Sequence, residues 1–90
     1  MHQSIIDTVF DELWRASEAF PDWPEDYVHA AAIVSEEAGE LLQAANNLVH
    51  EQKPSSVRDM KKEAIQTAAM AVRFIINLPE EEAEEENEKI

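Results

Sequence analysis

Residues 25–52 read EDYVHAAAIVSEEAGELLQAANNLVHEQ, and apolar or small residues recur along this stretch every three to four positions. That spacing places them on one side of an α-helix. Pro24 precedes the stretch with a φ angle suited to a helix start, and Pro54 lies just beyond its end. At about 1.5 Å per residue such a helix would be roughly 40 Å long, which is long for a small domain.

A second amphipathic segment precedes this helix and a third follows it. The first covers about residues 3–20 and the third about residues 57–78. Ser55 or Ser56 can cap the third segment. The chain has one glycine, so glycine turns and β-hairpins are not expected. The pattern therefore predicts an all-α fold of three helices.

The charge of the chain limits the classes of partner. Its 90 residues carry 20 acidic and 7 basic side chains, for a formal net charge of −13, and no cysteine. We expect no direct binding to nucleic acid, whose phosphates repel such a chain, and we expect a host for divalent cations. No apolar run could span a membrane and no secretory leader is visible, so we expect a cytoplasmic protein. Residues 1–79 form the predicted domain, and residues 80–90 an acidic, frayed tail.

The predicted helices carry more apolar surface than one small chain can bury. A chain of this length buries a modest fraction of its surface on folding. The second and third helices have apolar or small residues on more than one stripe, and the alanines at 68, 69 and 71 would allow another helix to approach closely. We therefore predict long antiparallel helices that are completed into a helical bundle by oligomerisation, as a homodimer or homotetramer.

An acidic cluster lies in the middle of the second helix. Glu37 and Glu40 are about 60° apart around the helix axis, and Glu36 and Glu40 about 40° apart, so all three share one face. Like charges at that spacing repel unless something neutralises them. Gly39 costs about 1 kcal/mol relative to alanine in a helix interior and would suit the close approach of a backbone or a bulky ligand.

The third helix offers a second polar pair, Glu63 and Gln66, at the same three-residue spacing. If the second and third helices pack antiparallel, this pair converges with Glu37 and Glu40. Three carboxylates and an amide oxygen form a hard oxygen site suited to Mg²⁺ or Mn²⁺. Paired glutamates on a helix are also common as plain solvated surface, and spacing alone leaves that alternative open.

These stretches resemble a known family. Trp23-Pro24 and residues 29–41 (HAAAIVSEEAGEL) look like the first motif of the MazG-like, all-α nucleoside triphosphate pyrophosphohydrolases. Residues 63–74 (EAIQTAAMAVRF) look like the second, and the resemblance covers about residues 20–78. The family pattern is Glu-x-x-Glu, a spacer, then Glu-x-x-Asp. In this chain a glutamine, Gln66, stands where the family usually has the aspartate, and it brings no charge to a metal.

The resemblance implies a Mg²⁺-dependent enzyme, with Mn²⁺ as an alternative, that splits a (deoxy)nucleoside triphosphate into monophosphate and pyrophosphate. Such a phage or bacterial enzyme would serve nucleotide-pool cleaning, alarmone removal or help to a phage. Mg²⁺ would bridge the triphosphate and the helix carboxylates and orient in-line attack by water. Glu36 or Glu37 is the candidate general base. The implied metal ligands are Glu37, Glu40, Glu63 and Gln66.

Five further side chains are candidates for substrate binding by their chemistry. Trp23 could stack on a base or plug a loop. His29 could line the pocket or be a partly buried helix histidine. The three basic side chains among the five, together with Lys61, could bind the phosphate tail of the substrate or form a solubilising face. The five candidates are Trp23, His29, Lys53, Lys62 and Arg73.

Two other classes of function are compatible with the sequence. One is an acidic helical interaction protein, or nucleic-acid mimic, that binds a basic partner surface. Its carboxylates would be spread over an exposed surface rather than concentrated in a cleft, and its acidic tail would matter. The other is a degenerate relative that binds metal or nucleotide without turnover, which the glutamine at position 66 suggests.

Overall fold

The computed structural model describes residues 3–51 and 53–80, and that part of the chain contains three helices and no strand. The helices are α1 (Ile5–Ala19), α2 (Tyr27–His50) and α3 (Val57–Ile76). The prediction of an all-α fold is confirmed, and the helices end slightly inside the predicted bounds. Except for Glu80, the predicted acidic tail lies outside the described residues.

Each helix begins at a side chain that accepts hydrogen bonds from the first turn. Ser4, Asp26 and Ser56 are the N-caps of α1, α2 and α3. Such a cap stabilises a helix by about 1 kcal/mol because it satisfies an otherwise unpaired backbone N–H. Ser56 is therefore the cap of α3, whereas the Ser55 hydroxyl donates to the carbonyl oxygen of Ala44 at 2.9 Å and ties the loop to α2.

α3 lies between the other two helices, and each of them packs against α3 rather than against the other. The contact between Ser55 and Ala44 marks one end of the α2–α3 pair, and Ala30 and Phe74 line a common pocket at the other. α2 and α3 therefore run antiparallel. α1 and α3 run parallel, because residues 12 and 66 share a cavity lining and residues 20 and 73 are hydrogen-bonded. A cleft between α1 and α2 has α3 as its floor.

Small side chains form the centre of the packing. Ala69 is 0% exposed, and it clusters with buried Ala16 and Met70. An alanine at such a point lets two helix backbones approach closely, as its place among the alanines of the third helix suggested. The half-buried residues that pack around this cluster are Val9, Leu13, Trp23, Ile33 and Val34.

Much of the apolar surface lies outside this small core. Thirteen large apolar side chains of the described residues are exposed, and they occur on all three helices and in the adjoining segments. Ile6, Phe10 and Trp14 form a continuous stripe on α1, each four residues from the next and each at least half exposed. Within the described residues no helix is long and apolar enough to cross a bilayer.

Gly39 is exposed in the middle of α2. A Cβ atom added to it would meet no atom within 4 Å. The close approach of another backbone that we expected at this glycine is therefore not made by the described residues of its own chain.

Candidate metal centre and adjoining cavities

Three carboxylates from two helices meet on one side of the α2–α3 pair. Glu37 and Glu40 project from α2 and Glu63 from α3, and one oxygen of each lies within 4.8 Å of the others. The antiparallel packing of α2 and α3 produces this convergence, as the sequence predicted. Glu37 and Glu63 are half-buried, and Glu40 is exposed. We call these three residues the carboxylate group.

Gln66 lies one turn beyond Glu63 and contacts the carboxylate group. With the amide oriented to satisfy its hydrogen bonds, Nε2 of Gln66 donates to Oε2 of Glu63 at 3.1 Å and to Oε2 of Glu37 at 3.3 Å. The amide therefore links the two helices by hydrogen bonds to both carboxylates. To act as a ligand, it would have to rotate and present its oxygen instead.

The carboxylates oppose one another electrostatically. Burial raises the pKa of Glu37, and the charges of Glu40 and Glu63 raise it further. Burial also raises the pKa of Glu63, as do the hydrogen bond and the charge of Glu40, while Lys62 acts in the opposite direction. Holding three such groups together is unfavourable without a cation, and a bound divalent cation would relieve the repulsion.

The donors of the carboxylate group fit a hard divalent cation. All of them are oxygens, and they are concentrated on one side, which leaves room for water and substrate oxygens. Neighbouring ligands of octahedral Mg²⁺ lie about 3 Å apart, so oxygens separated by up to 4.8 Å must move inward to bind one ion.

Of the two candidate bases, the structure brings only Glu37 into this group. Glu37 also lines the cleft between α1 and α2. Glu36 is exposed on α2 and is not one of the converging residues, although its charge contributes to the raised pKa of Glu37.

The cleft between α1 and α2 has a volume of about 340 Å³ and adjoins the carboxylate group. Glu37 and Gln66 line it on the carboxylate side, and Trp23 and Phe20 supply aromatic surface. Trp23 is half-buried and also packs against the core cluster. The same side chain therefore lines the cleft and packs the loop between α1 and α2 against the core. A volume of this size lies within the range of small-molecule sites.

Arg73 is buried beneath the cleft, with 6% of its surface exposed. Its Nη2 donates to the carbonyl oxygen of Phe20 at 2.6 Å, and its guanidinium lies 4.9 Å from the centre of the Trp23 ring. These two contacts hold the end of α1 and the Trp23 ring against α3. Arg73 therefore has a structural role, in addition to the phosphate-binding role for which it was a candidate.

The other candidate substrate-binding residues are distributed unevenly. His29 is exposed in the first turn of α2, where its backbone N–H is capped by Asp26, and it is not the partly buried histidine that we weighed as one alternative. Lys53 is exposed in the loop between α2 and α3. Neither lines the cleft or the pocket described next. Lys62 does line that pocket.

A second cavity of about 530 Å³ lies beside the carboxylate group, between α1 and α3. Four cations line it, and we call it the basic pocket. Sequence reasoning named Lys61 and Lys62 but missed the two arginines, although Arg58 is spaced so as to share one helix face with both lysines. No sequence signal places α1 opposite them. The lining residues are Glu12, Arg15, Arg58, Lys61, Lys62, Ile65 and Gln66.

Comparison with known proteins adds no assignment. No protein-family model, curated protein or solved structure matches this chain. The functional proposal therefore depends on the geometry of the carboxylate group, its two adjoining cavities and the residue pattern that carries the resemblance.

Proposed function

We propose that the chain is a Mg²⁺-dependent, MazG-like nucleotide pyrophosphohydrolase that converts (deoxy)nucleoside triphosphates into monophosphates and pyrophosphate. The observation that carries the proposal is the convergence of Glu37 and Glu40 from one helix with Glu63 from the next. These are the positions at which the resemblance implies metal ligands. A cytoplasmic location, with access to the nucleotide pool, fits this activity.

The residues have distinct roles in this reaction. Glu37, Glu40 and Glu63 would hold the metal, and Gln66 would add its amide oxygen if its side chain rotated. Mg²⁺ or Mn²⁺ bound there would supply charge stabilisation for the phosphate oxygens and would favour in-line attack by water. The water oxygen attacks the α-phosphorus, the bond from that phosphorus to the bridging oxygen breaks, and pyrophosphate leaves.

The proton of the attacking water goes to a carboxylate. Glu37 is the better acceptor, because it lines the cleft and one of its two carboxylate oxygens can stay free of the metal. Glu36 is exposed one residue away and is the alternative acceptor.

The cleft between α1 and α2 receives the nucleoside. Trp23 and Phe20 provide aromatic faces on which a base can stack, at the side of the carboxylate group where Glu37 lies. Arg73 holds the Trp23 ring in place from below. The cleft is therefore formed before the nucleotide binds.

A homo-oligomer, dimer or tetramer, completes the bundle in this proposal. Its support is the exposed stripe of Ile6, Phe10 and Trp14 on α1, with the other exposed apolar side chains. Sedimentation analysis should give a mass of two or four chains. Trp14→Glu should shift it toward one chain, whereas Glu18→Gln on the same helix should not. A monomeric parent would remove oligomerisation from the proposal.

The activity is tested by turnover. Purified full-length protein is offered a panel of dNTPs and NTPs with Mg²⁺ or Mn²⁺, and pyrophosphate and orthophosphate are measured separately. We expect pyrophosphate and monophosphate, their loss in Glu40→Gln, and unchanged rates in Glu18→Gln, a matched exposed glutamate on α1. Release of orthophosphate, or no turnover with either metal, would contradict the proposal.

A metal- or nucleotide-binding relative without turnover is the second candidate function. It is favoured by the hydrogen bonds from Gln66 to Glu63 and Glu37, which hold the carboxylates together without a cation. In that case the parent is inactive and Gln66→Asp creates activity. An active parent that gains nothing from Gln66→Asp rules this candidate out.

A further inference from the structure

The positive charge of this chain is concentrated in one place. The chain has seven lysines and arginines and a net charge of −13. Four of those seven line the basic pocket, which has a volume of about 530 Å³. If the lysines and arginines served only solubility, we would expect them to be spread over the surface among the acidic residues. Their concentration in a concave site creates a local positive potential in an otherwise negative protein.

Two helices build this pocket. Arg58, Lys61 and Lys62 lie on one face of α3, and Arg15 comes from α1 across the gap. Glu12 accepts two hydrogen bonds from Arg15, from Nε at 2.9 Å and from Nη2 at 2.5 Å. This paired contact fixes the plane of the guanidinium. It leaves the pocket with an excess of three positive charges.

The cleft is lined by Glu37 of the carboxylate group, and the basic pocket is lined by Gln66, whose amide donates to Glu37 and Glu63. Glu12, Arg15 and Gln66 line both cavities and form the boundary between them. Lys62 lies close enough to Glu63 to counteract the rise in that residue's pKa. An anion in the basic pocket would therefore lie next to any metal on the carboxylate group.

We propose that the basic pocket binds the β- and γ-phosphates of the nucleotide, the part that leaves as pyrophosphate. This assignment rests on the proposed function. It gives the substrate a direction: the base lies against Trp23 in the cleft, the α-phosphate at the carboxylate group, and the terminal phosphates among Arg15, Arg58 and Lys61. The order of the three sites then matches the order of the groups in a triphosphate.

The assignment also defines the selectivity of the site. A nucleoside monophosphate with its base in the cleft does not reach the pocket, so it gains nothing from the four cations. A triphosphate fills it with two phosphate groups, each of which can accept charge-assisted hydrogen bonds from arginine and lysine. An inorganic polyphosphate carries the same groups without a base and binds the pocket by itself.

The experiment uses inorganic tripolyphosphate and the full-length protein, with a chelator present so that no metal contributes. Affinity is measured by calorimetry. The test variant is Arg58→Gln, and the control is Lys53→Gln, which removes the same charge from an exposed residue that does not line the pocket. We expect at least a tenfold weaker affinity in the test variant and about a twofold change in the control.

Each outcome bears on the assignment. The assignment of the basic pocket would be overturned if tripolyphosphate did not bind the parent, or if its affinity fell equally in both variants. Turnover of nucleotides with an unchanged KM in the test variant would overturn it while leaving the proposed function in place. Tripolyphosphate binding in a parent that turns over no nucleotide would overturn the substrate assignment and the enzyme, and would leave a polyphosphate site. Circular dichroism establishes that both variants are folded.

Discussion

The carboxylate group and the basic pocket are neighbours on α3, and they are built in different ways. The carboxylate group needs two helices that are adjacent in sequence and packed antiparallel. The basic pocket combines one face of α3 with Arg15 from α1, far away in the chain. Glu63 and Lys62 are consecutive residues that serve opposite sites. The difference shows that one helix can present a group of carboxylates and a pocket of cations when a partner helix lies on each side.

The largest expected effect is on metal affinity, which should depend on the carboxylate group and not on the basic pocket. Glu63→Gln removes a charged ligand, and we expect Mn²⁺ affinity to fall by about 100-fold, measured by electron paramagnetic resonance. Lys61→Gln should leave Mn²⁺ affinity within about twofold, because it removes no oxygen donor. If both substitutions lower the Mn²⁺ affinity equally, the two sites are not distinct.

The next effect distinguishes Arg73 from the cations of the basic pocket. Arg73→Gln should lower the free energy of unfolding by about 2–3 kcal/mol, because the Phe20 carbonyl and the Trp23 ring lose a buried partner. Arg58→Gln, at an exposed position, should change it by less than about 0.5 kcal/mol. Urea denaturation measures both. Equal losses would mean that the pocket cations also hold the fold together.

The third prediction concerns the effect of Gly39→Ala on the stability of α2. Gly39 lies between two members of the carboxylate group in the sequence. An alanine meets no atom within 4 Å in this chain and favours the helix, so we expect about 1 kcal/mol of added stability. Thermal unfolding of the parent and the variant measures this. Destabilisation that depends on protein concentration would instead place a second chain against this glycine.

The smallest effect is a pH dependence that only the carboxylate group should show. Because the pKa values of Glu37 and Glu63 are raised on folding, the folded protein binds protons more tightly at these sites than the unfolded chain does. This contribution to stability is therefore fully present below the ordinary glutamate pKa of about 4.3 and is lost as pH rises through the raised pKa values of the folded protein.

Thermal unfolding from about pH 4, below the ordinary glutamate pKa, up to neutral pH measures that loss. With a chelator present, we expect the melting temperature to fall by a few degrees toward the upper end, and Mg²⁺ to remove most of the fall. Glu37→Gln should flatten the profile even without metal. A parent profile that is already flat would show that the carboxylates do not repel one another appreciably.

The helices were predictable because local chemistry determines them. Apolar periodicity and prolines located the three segments, and Ser56 was one of two predicted caps of α3. The convergence of Glu37, Glu40 and Glu63 needed one further assumption, that adjacent helices pack antiparallel, and the structure satisfies it.

The remaining parts of the site depend on which face of α1 meets α3. Arg73 and Phe20 are 53 residues apart in sequence, so no local pattern could show that this arginine is buried against that carbonyl. The same packing brings Glu12 and Arg15 to the edge of both cavities. Since the choice of face follows from tertiary packing, the sequence alone did not indicate the basic pocket.

The central place of α3 has a consequence for the order in which the molecule assembles and opens. α2 and α3 are joined by a short loop and can pair early through local contacts, whereas α1 docks onto α3 through contacts between residues far apart in sequence. The carboxylate group forms with the hairpin, but the cleft and the basic pocket exist only while α1 is docked. We therefore expect undocking of α1 to be a local opening, visible as faster amide hydrogen exchange in α1 than in α3. In the proposed function, this opening would release both ends of the nucleotide at once.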